Sequence, residues 1–167
     1  MKKVYCGGRF AFDYLNPAYR ELAKEDYRAR LLGDENLLLK KHDFLPINEK
    51  TQYIGPFYFE ADDMIDKDIV AAELDMVRRC TDAVFLLDSG LCPGTIGELT
   101  VASMLQKNVH IFYVQKSAAE ETESDLHTPC WYPILLSQLL NEHTRLVACL
   151  DEEEAKQCIQ DWIKNLD

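Results

Sequence analysis

The sequence predicts an α/β fold, a doubly wound, flavodoxin- or Rossmann-like parallel sheet of about five strands with helices on both faces. Three observations predict it. Strand-like and helix-like patterns alternate along the chain, and helical crossovers between neighbouring strands build a parallel sheet. The run Ala83-Val-Phe-Leu-Leu87 is apolar at every position, as in a strand covered on both sides. Directly before it, Asp66–Arg79 carries apolar residues at helical spacing.

The elements follow in order. "KVYC" from Lys3 to Cys6 reads as a short strand that stops at Gly7-Gly8. In "PAYRELAKEDYRARLL", from Pro17, Tyr19, Leu22, Ala23, Tyr27 and Leu31 share one helical face, and Gly33 ends the helix. Residues 34–62 are mixed: "LLLKKHDFLP" holds a candidate strand and "TQYIGPFYFEAD" reads as an aromatic loop. In Asp66–Arg79, Ile69, Ala72, Leu74, Met76, Val77 and Cys80 supply the apolar side. Asp66 or Asp68 suits its N-terminus, and Arg78 and Arg79 suit its C-terminus. Thr81-Asp82 makes the turn into the Ala83–Leu87 strand. A helix is expected from Glu98 to Gln106, a strand over Asn108–Val114, and a charged surface loop at "SAAEETESD". "WYPILLSQLLNEH" is a helix, "RLVACL" a strand, and "DEEEAKQCIQDWIKNL" a final helix with acids in its first turn.

The chain has 167 residues, 47% of them hydrophobic and 28% charged, which fits one domain spanning residues 1–167 with a real core. Its net charge of −11 argues against nucleic acid or an anionic membrane as a partner, since both need a basic face. A small nucleoside or nucleotide remains compatible. No targeting segment and no run of ~20 apolar residues is visible, so a cytoplasmic protein is expected. The six cysteines form no CxxC pair and are expected as free thiols. The four histidines lack HxxxH spacing, and no metal is expected.

In doubly wound sheets, ligands bind beyond the carboxyl ends of the strands, near the point where strand order reverses. The loops after Tyr5–Gly8, after Leu87 and after Val114 should meet there. The segment "CPGTIGEL" is the most informative of them. Its glycines permit close approach of a ligand to backbone, and a helix N-terminus behind it can hold an anion. Glu98 near that end has two readings. It closes a T-x-x-E capping box with Thr95, or it is a carboxylate placed for chemistry.

Three segments together resemble the nucleoside 2-deoxyribosyltransferase superfamily. They are Val4-Tyr5-Cys6-Gly7-Gly8, then Tyr53-Ile54-Gly55-Pro56-Phe57, then "DAVFLLD" with "GTIGELTVASMLQKNVHIFYV" behind it. They occur in that family's order and span about residues 3 to 114; residues 115–167 do not align. The resemblance implies an enzyme that cleaves the N-glycosidic bond of a (deoxy)nucleoside or nucleoside 5′-monophosphate. It proceeds through a covalent glycosyl-glutamate and passes the sugar to another base or to water, as retaining glycosidases do. On that resemblance Glu98 is the nucleophile and Tyr5 the residue that positions it. The accompanying acid lies about eight residues before the strand-opening aspartate, here Asp82, which falls on Leu74. Glu73 and Asp75 flank it, and only one can face the pocket, because each residue turns a helix by about 100°. Both are catalytic candidates, with Glu73 favoured.

The substrate-binding candidates are Gly7, Gly8, Arg9, Phe12, Gly55, Pro56, Phe57, Asp88, Cys92, Gly94 and Thr95. Arg9 suits a 5′-phosphate, and the rings of Phe12 and Phe57 suit a base or sugar. Cys92 is a departure: six residues before the glutamate, the family carries Asp or Ser, and a thiol bonds more weakly. Asp88 stands near enough in sequence to substitute. The resemblance also implies no cofactor, since the leaving base needs only a proton, and a homo-oligomer in which a neighbour completes the pocket. Two other readings stay open. "PGTIGEL" is similar to the P-G-G-x-G-T-x-x-E motif of cytokinin-releasing phosphoribohydrolases, less one glycine. A non-catalytic nucleotide-binding sensor of the same fold is the second.

Overall fold

The computed structural model describes residues 1–8, 45–55, 66–87, 93–114 and 131–166. They form β1 (Lys2–Gly7), β2 (Leu45–Pro46), β3 (Thr51–Gly55), α1 (Asp66–Arg79), β4 (Asp82–Leu87), α2 (Pro93–Met104), β5 (Asn108–Val114), α3 (Trp131–Leu140), β6 (Arg145–Cys149) and α4 (Glu152–Lys164). The sheet order is β2-β3-β1-β4-β5-β6. The pairs β3–β1, β1–β4, β4–β5 and β5–β6 are parallel, and only β2–β3 is antiparallel. The five parallel strands therefore run in the 2-1-3-4-5 order of flavodoxin-like folds, with the reversal between β1 and β4.

Register settles which side chains share a face, because paired residues of parallel strands point the same way. Tyr5 pairs with Ala83 and Gly7 with Phe85; Ala83 and Phe85 in turn pair with Val109 and Ile111. These residues line the face that carries α2, because a side chain at Gly7 would meet both Phe85 and Glu98 of α2. α1 and α3 pack against α2 on that side. The opposite face carries α4: His110, one residue out of phase, stacks on Trp162 with ring centroids 4.3 Å apart. β4 is buried along its whole length, as its unbroken apolar run requires.

Two boundaries differ from the sequence expectation. Thr51–Gly55, read as part of a loop, is the second parallel strand, with Thr51, Tyr53 and Ile54 buried. Its neighbouring Gly-Pro masked it, since those residues normally mark turns. Of "LLLKKHDFLP" only Leu45–Pro46 is described. It is the antiparallel edge strand, a position that tolerates the missing N–H of proline. Helix α2 opens at Pro93 rather than Glu98. Proline is preorganised for the first helical position, and that moves Glu98 into the second turn. The capping-box reading of Thr95 and Glu98 therefore does not hold, because a capping glutamate belongs three residues after the cap. The expected helix from Pro17 to Leu32 lies outside the described residues.

The end of α1 is tied down from below. Lys107 Nζ donates to the carbonyls of Arg78 at 2.7 Å and Cys80 at 2.8 Å, satisfying groups that a helix C-terminus leaves free. At the same edge of the sheet, buried Asp82 accepts from Thr81 Oγ1 at 2.6 Å and from Asn108 Nδ2 at 3.2 Å. Cys6, Cys80, Cys149 and Cys158 are free. Among the described residues no helix is long and apolar enough to cross a membrane.

Candidate active site

Three elements bring three polar side chains to the carboxyl edge of the sheet, beside the β1–β4 reversal. Strand β1 delivers Tyr5, buried in the core with its ring 6.3 Å from that of Phe85 at a 49° tilt. Helix α2 delivers Glu98, which is 9% exposed. Helix α1 delivers Glu73, half-buried, one turn before the buried Met76 and Val77 and hence on their face.

Gly7 makes the approach of Glu98 possible. A Cβ there would lie 2.5 Å from two ring carbons of Phe85 and 3.0 Å from Glu98 Oε2. Glu98 thus rests almost on the β1 backbone. We expect Gly7→Ala to destabilise the fold by about 1–3 kcal/mol, the usual range for overpacking, and to displace the carboxylate. Denaturant midpoints would check the first part. An unchanged midpoint would mean that Phe85 and Glu98 yield freely.

Burial and crowding shift both carboxyl groups. The Glu98 pKa is pushed up to about 7, first by burial and then by the like charge of Glu73. The nearby Tyr5 hydroxyl pulls it back part of the way. Glu73 is also raised by burial, and its contact with Glu98 offsets some of that. Each carboxyl group shifts the titration of the other, so the two behave as a coupled pair. The phenol of Tyr5 is held firmly protonated, first by burial and then by Glu98 and Glu73. Its hydroxyl is close enough to act on Glu98, yet it has no hydrogen-bond partner of good geometry. Tyr53, also fully buried, is a second phenol held protonated, by burial above all, and it too feels Glu98.

The sequence candidates separate as follows. Tyr5, Gly7, Glu73 and Glu98 come together. Asp75 does not join them: it lies two residues round the helix, exposed, and pairs with Arg79 at 2.9 Å. Gly8 follows β1 and Gly55 ends β3 at this edge with φ of 129° and 143°, values that suit glycine. The Cβ of any other residue at Gly55 would collide with Met76 Sδ. Gly94 is exposed and Thr95 buried in the first turn of α2. Arg9, Phe12, Pro56, Phe57, Asp88 and Cys92 lie outside the described residues. Phe85 and Tyr53 were missing from the candidates. Their contribution depends on strand register, and no local pattern carries that.

Among the described residues no group of three or more His, Cys, Asp or Glu side chains is arranged to hold a metal ion. The arrangement sets two carboxyl groups, both raised by burial, within reach of each other, with a protonated phenol alongside. One group can attack while the other supplies or takes a proton.

No protein-family model matches the chain, and no curated protein matches it either. Two solved structures are similar to it over nearly its whole length. One is the CMP N-glycosidase BcmB of Clostridium botulinum, with a TM-score of 0.51 and 13% identity, covering 96% of this chain and 99% of its own. The other is a conserved protein from Enterococcus faecalis V583, with a TM-score of 0.51 and 20% identity, covering 95% of this chain and 99% of its own. At these identities the likeness shows the fold: the α/β architecture with five parallel strands is shared.

Proposed function

We propose that this protein is an N-glycosyl-cleaving enzyme of the nucleoside 2-deoxyribosyltransferase type, acting on a nucleoside or nucleoside 5′-monophosphate. The observation that carries the reading is buried Glu98 with half-buried Glu73 beside it, set over Gly7 at the sheet's reversal point. The fold shared with a CMP N-glycosidase supports it. So does the order of the three sequence segments.

In this mechanism ionised Glu98 attacks C1′ of the sugar. The C1′–N bond breaks, its electron pair goes to the base, and Glu73 donates the proton that the leaving base needs. A glycosyl ester on Glu98 results. Water or a second base then attacks C1′, Glu73 takes back a proton, and the Glu98 carboxylate is released. The closeness of the carboxyl groups favours this double displacement. An inverting enzyme keeps its pair roughly 6.5–9.5 Å apart to seat a water, whereas Glu98 and Glu73 stand near enough to shift each other's titration. Tyr5 steadies Glu98, and Asp75, paired outward with Arg79, takes no part.

Self-association belongs to the same reading. α3 carries no charged residue and exposes Trp131, Tyr132, Leu135 and Leu139, an apolar stripe of the kind that subunit contacts use. Light scattering would test it; a monomer at high concentration would remove this part of the proposal.

The decisive experiment incubates deoxynucleosides, ribonucleosides and their 5′-monophosphates with the protein, with and without a second free base, and reads the bases by chromatography. Release without an acceptor makes it a hydrolase, and exchange that requires one makes it a transferase. Binding without turnover on every substrate would instead favour a nucleotide sensor.

A further inference from the structure

On the face of the sheet opposite the site, two free cysteines that the proposed reaction does not use meet each other. Register places the first. His110 stacks on Trp162 of α4, so its β6 partner Arg145 lies on the α4 face, and Val147 and Cys149 follow on that face by alternation. Helix periodicity places the second. Ala155, Ile159 and Ile163 are the buried residues of α4, and Cys158 and Trp162 border them at spacings that keep one face. α4 starts just past β6 and packs back along β5 and β6, which brings Cys158 over the strand end. The Cys149 thiol points back along β6, 3.9 Å from the Val147 carbonyl oxygen. Burial first, and then the neighbouring Cys158 thiol and Glu154, push the Cys149 thiol up to about 11, and the two thiols share a hydrogen bond. Cys149 is 1% exposed, whereas Cys158 is only partly buried.

We propose that Cys149 and Cys158 form a redox-responsive modification site, at which a hydroperoxide joins α4 to the end of β6 through a reversible disulfide. Two thiols in contact can be bridged with little movement of the chain. Their unequal exposure divides the roles, since a sensing thiol must be reached from solvent and a resolving thiol must wait beside it. The Cys158 thiolate attacks one oxygen of hydrogen peroxide. The O–O bond breaks, hydroxide leaves and is protonated to water, and Cys158 becomes a sulfenic acid. Cys149 then loses its proton and attacks the Cys158 sulfur; the S–O bond breaks and a second water leaves. Two thiols have given up two electrons, and one peroxide has become two waters. A dithiol reductant reverses the bridge by exchange.

The location of the pair sets its effect. β6 is an edge strand, two strands beyond β4, and the pair lies on the face away from Glu98. Bridging therefore fastens the last helix without touching the carboxyl groups. A cross-link of this kind raises stability chiefly by restricting the unfolded chain.

The test treats the reduced full chain with one equivalent of hydrogen peroxide and digests it with trypsin in the absence of reductant. Cleavage after Arg145, Lys156 and Lys164 separates the two cysteines, so the bridge shows as residues 146–156 joined to residues 157–164. This linked pair should be the main disulfide and should vanish with dithiothreitol. Bridging should raise Tm by about 3–8 °C. In Cys149→Ser, Cys158 should stop at the sulfenic acid, which dimedone traps. In Cys158→Ser, the thiol of Cys149 should react with peroxide about tenfold more slowly than Cys158 does in the wild type, because it is buried and protonated. Neither variant should gain Tm on oxidation. Bridges from either cysteine to another part of the chain, or thiols that remain free, would overturn the proposal. So would a bridge that leaves Tm unchanged or lowers it. The wild-type map decides even where serine at the buried position prevents folding, and its outcome is independent of nucleotide turnover.

Discussion

Glu98→Gln is expected to abolish turnover and, at the same time, to make the protein more stable above neutral pH. The first effect follows from removal of the nucleophile, with an expected loss of roughly 10⁴-fold or more in kcat. The second follows from the displaced pKa. Glu98 titrates near 7 in the fold, against an ordinary value of 4.5. The folded state thus holds this proton more tightly than the unfolded chain does between pH 4.5 and 7. Across that window stability falls as pH rises, and above about pH 7 the full penalty, about 3 kcal/mol, is present. Glutamine keeps the shape without the charge, and its amide can donate to Glu73. Denaturation at pH 8 should therefore show a gain approaching that value, and denaturation near pH 4.5 should show little of it. A pocket carboxylate without a chemical role would give the stability gain and leave turnover intact. A surface carboxylate would give neither. Turnover that survives in Glu98→Gln would end the nucleophile assignment.

Glu73→Gln should lower kcat by about 10²–10⁴-fold, the usual contribution of a general acid, and should change the pH profile in a defined way. The wild-type pair is active with one proton in it. Its kcat/KM should be bell-shaped, the acid limb marking loss of the pair's first proton and the alkaline limb loss of its second, both raised by burial. Removing Glu73 deletes the like charge that is the second cause of the Glu98 shift, so the Glu98 pKa moves down. The variant's residual activity should then rise with pH through that lower value and keep no alkaline limb from the pair. A substrate whose leaving group needs no proton, such as a 4-nitrophenyl riboside, should restore much of the rate in Glu73→Gln and none in Glu98→Gln. A wild-type profile flat from pH 5 to 9 would remove Glu73 from the acid role. Asp75→Asn is the matching control, since its carboxylate faces outward toward Arg79.

These experiments turn on a site that was only partly legible beforehand. The sequence by itself determined the architecture. Apolar runs such as Ala83–Leu87, amphipathic stretches such as Asp66–Arg79 and their alternation are local patterns, and they require a sheet covered on both faces. It also marked Glu98, because a carboxylate among glycines and a proline after a buried strand stands out without any knowledge of its neighbours. It left Glu73 and Asp75 as alternatives, because the apolar residues of α1 spread too widely round the helix to define one inward line. Tertiary structure decided that question by burying Met76 and Val77, which turns Glu73 inward and Asp75 out. It also moved the start of α2 to Pro93, which separated Glu98 from a capping role. Only strand register could bring Tyr5, Gly7 and Phe85 onto one face beneath Glu98. Register joins residues about eighty positions apart through backbone hydrogen bonds that any side chain permits. The sequence therefore names the parts of this site, and the pairing of β1 with β4 brings them within reach of one another.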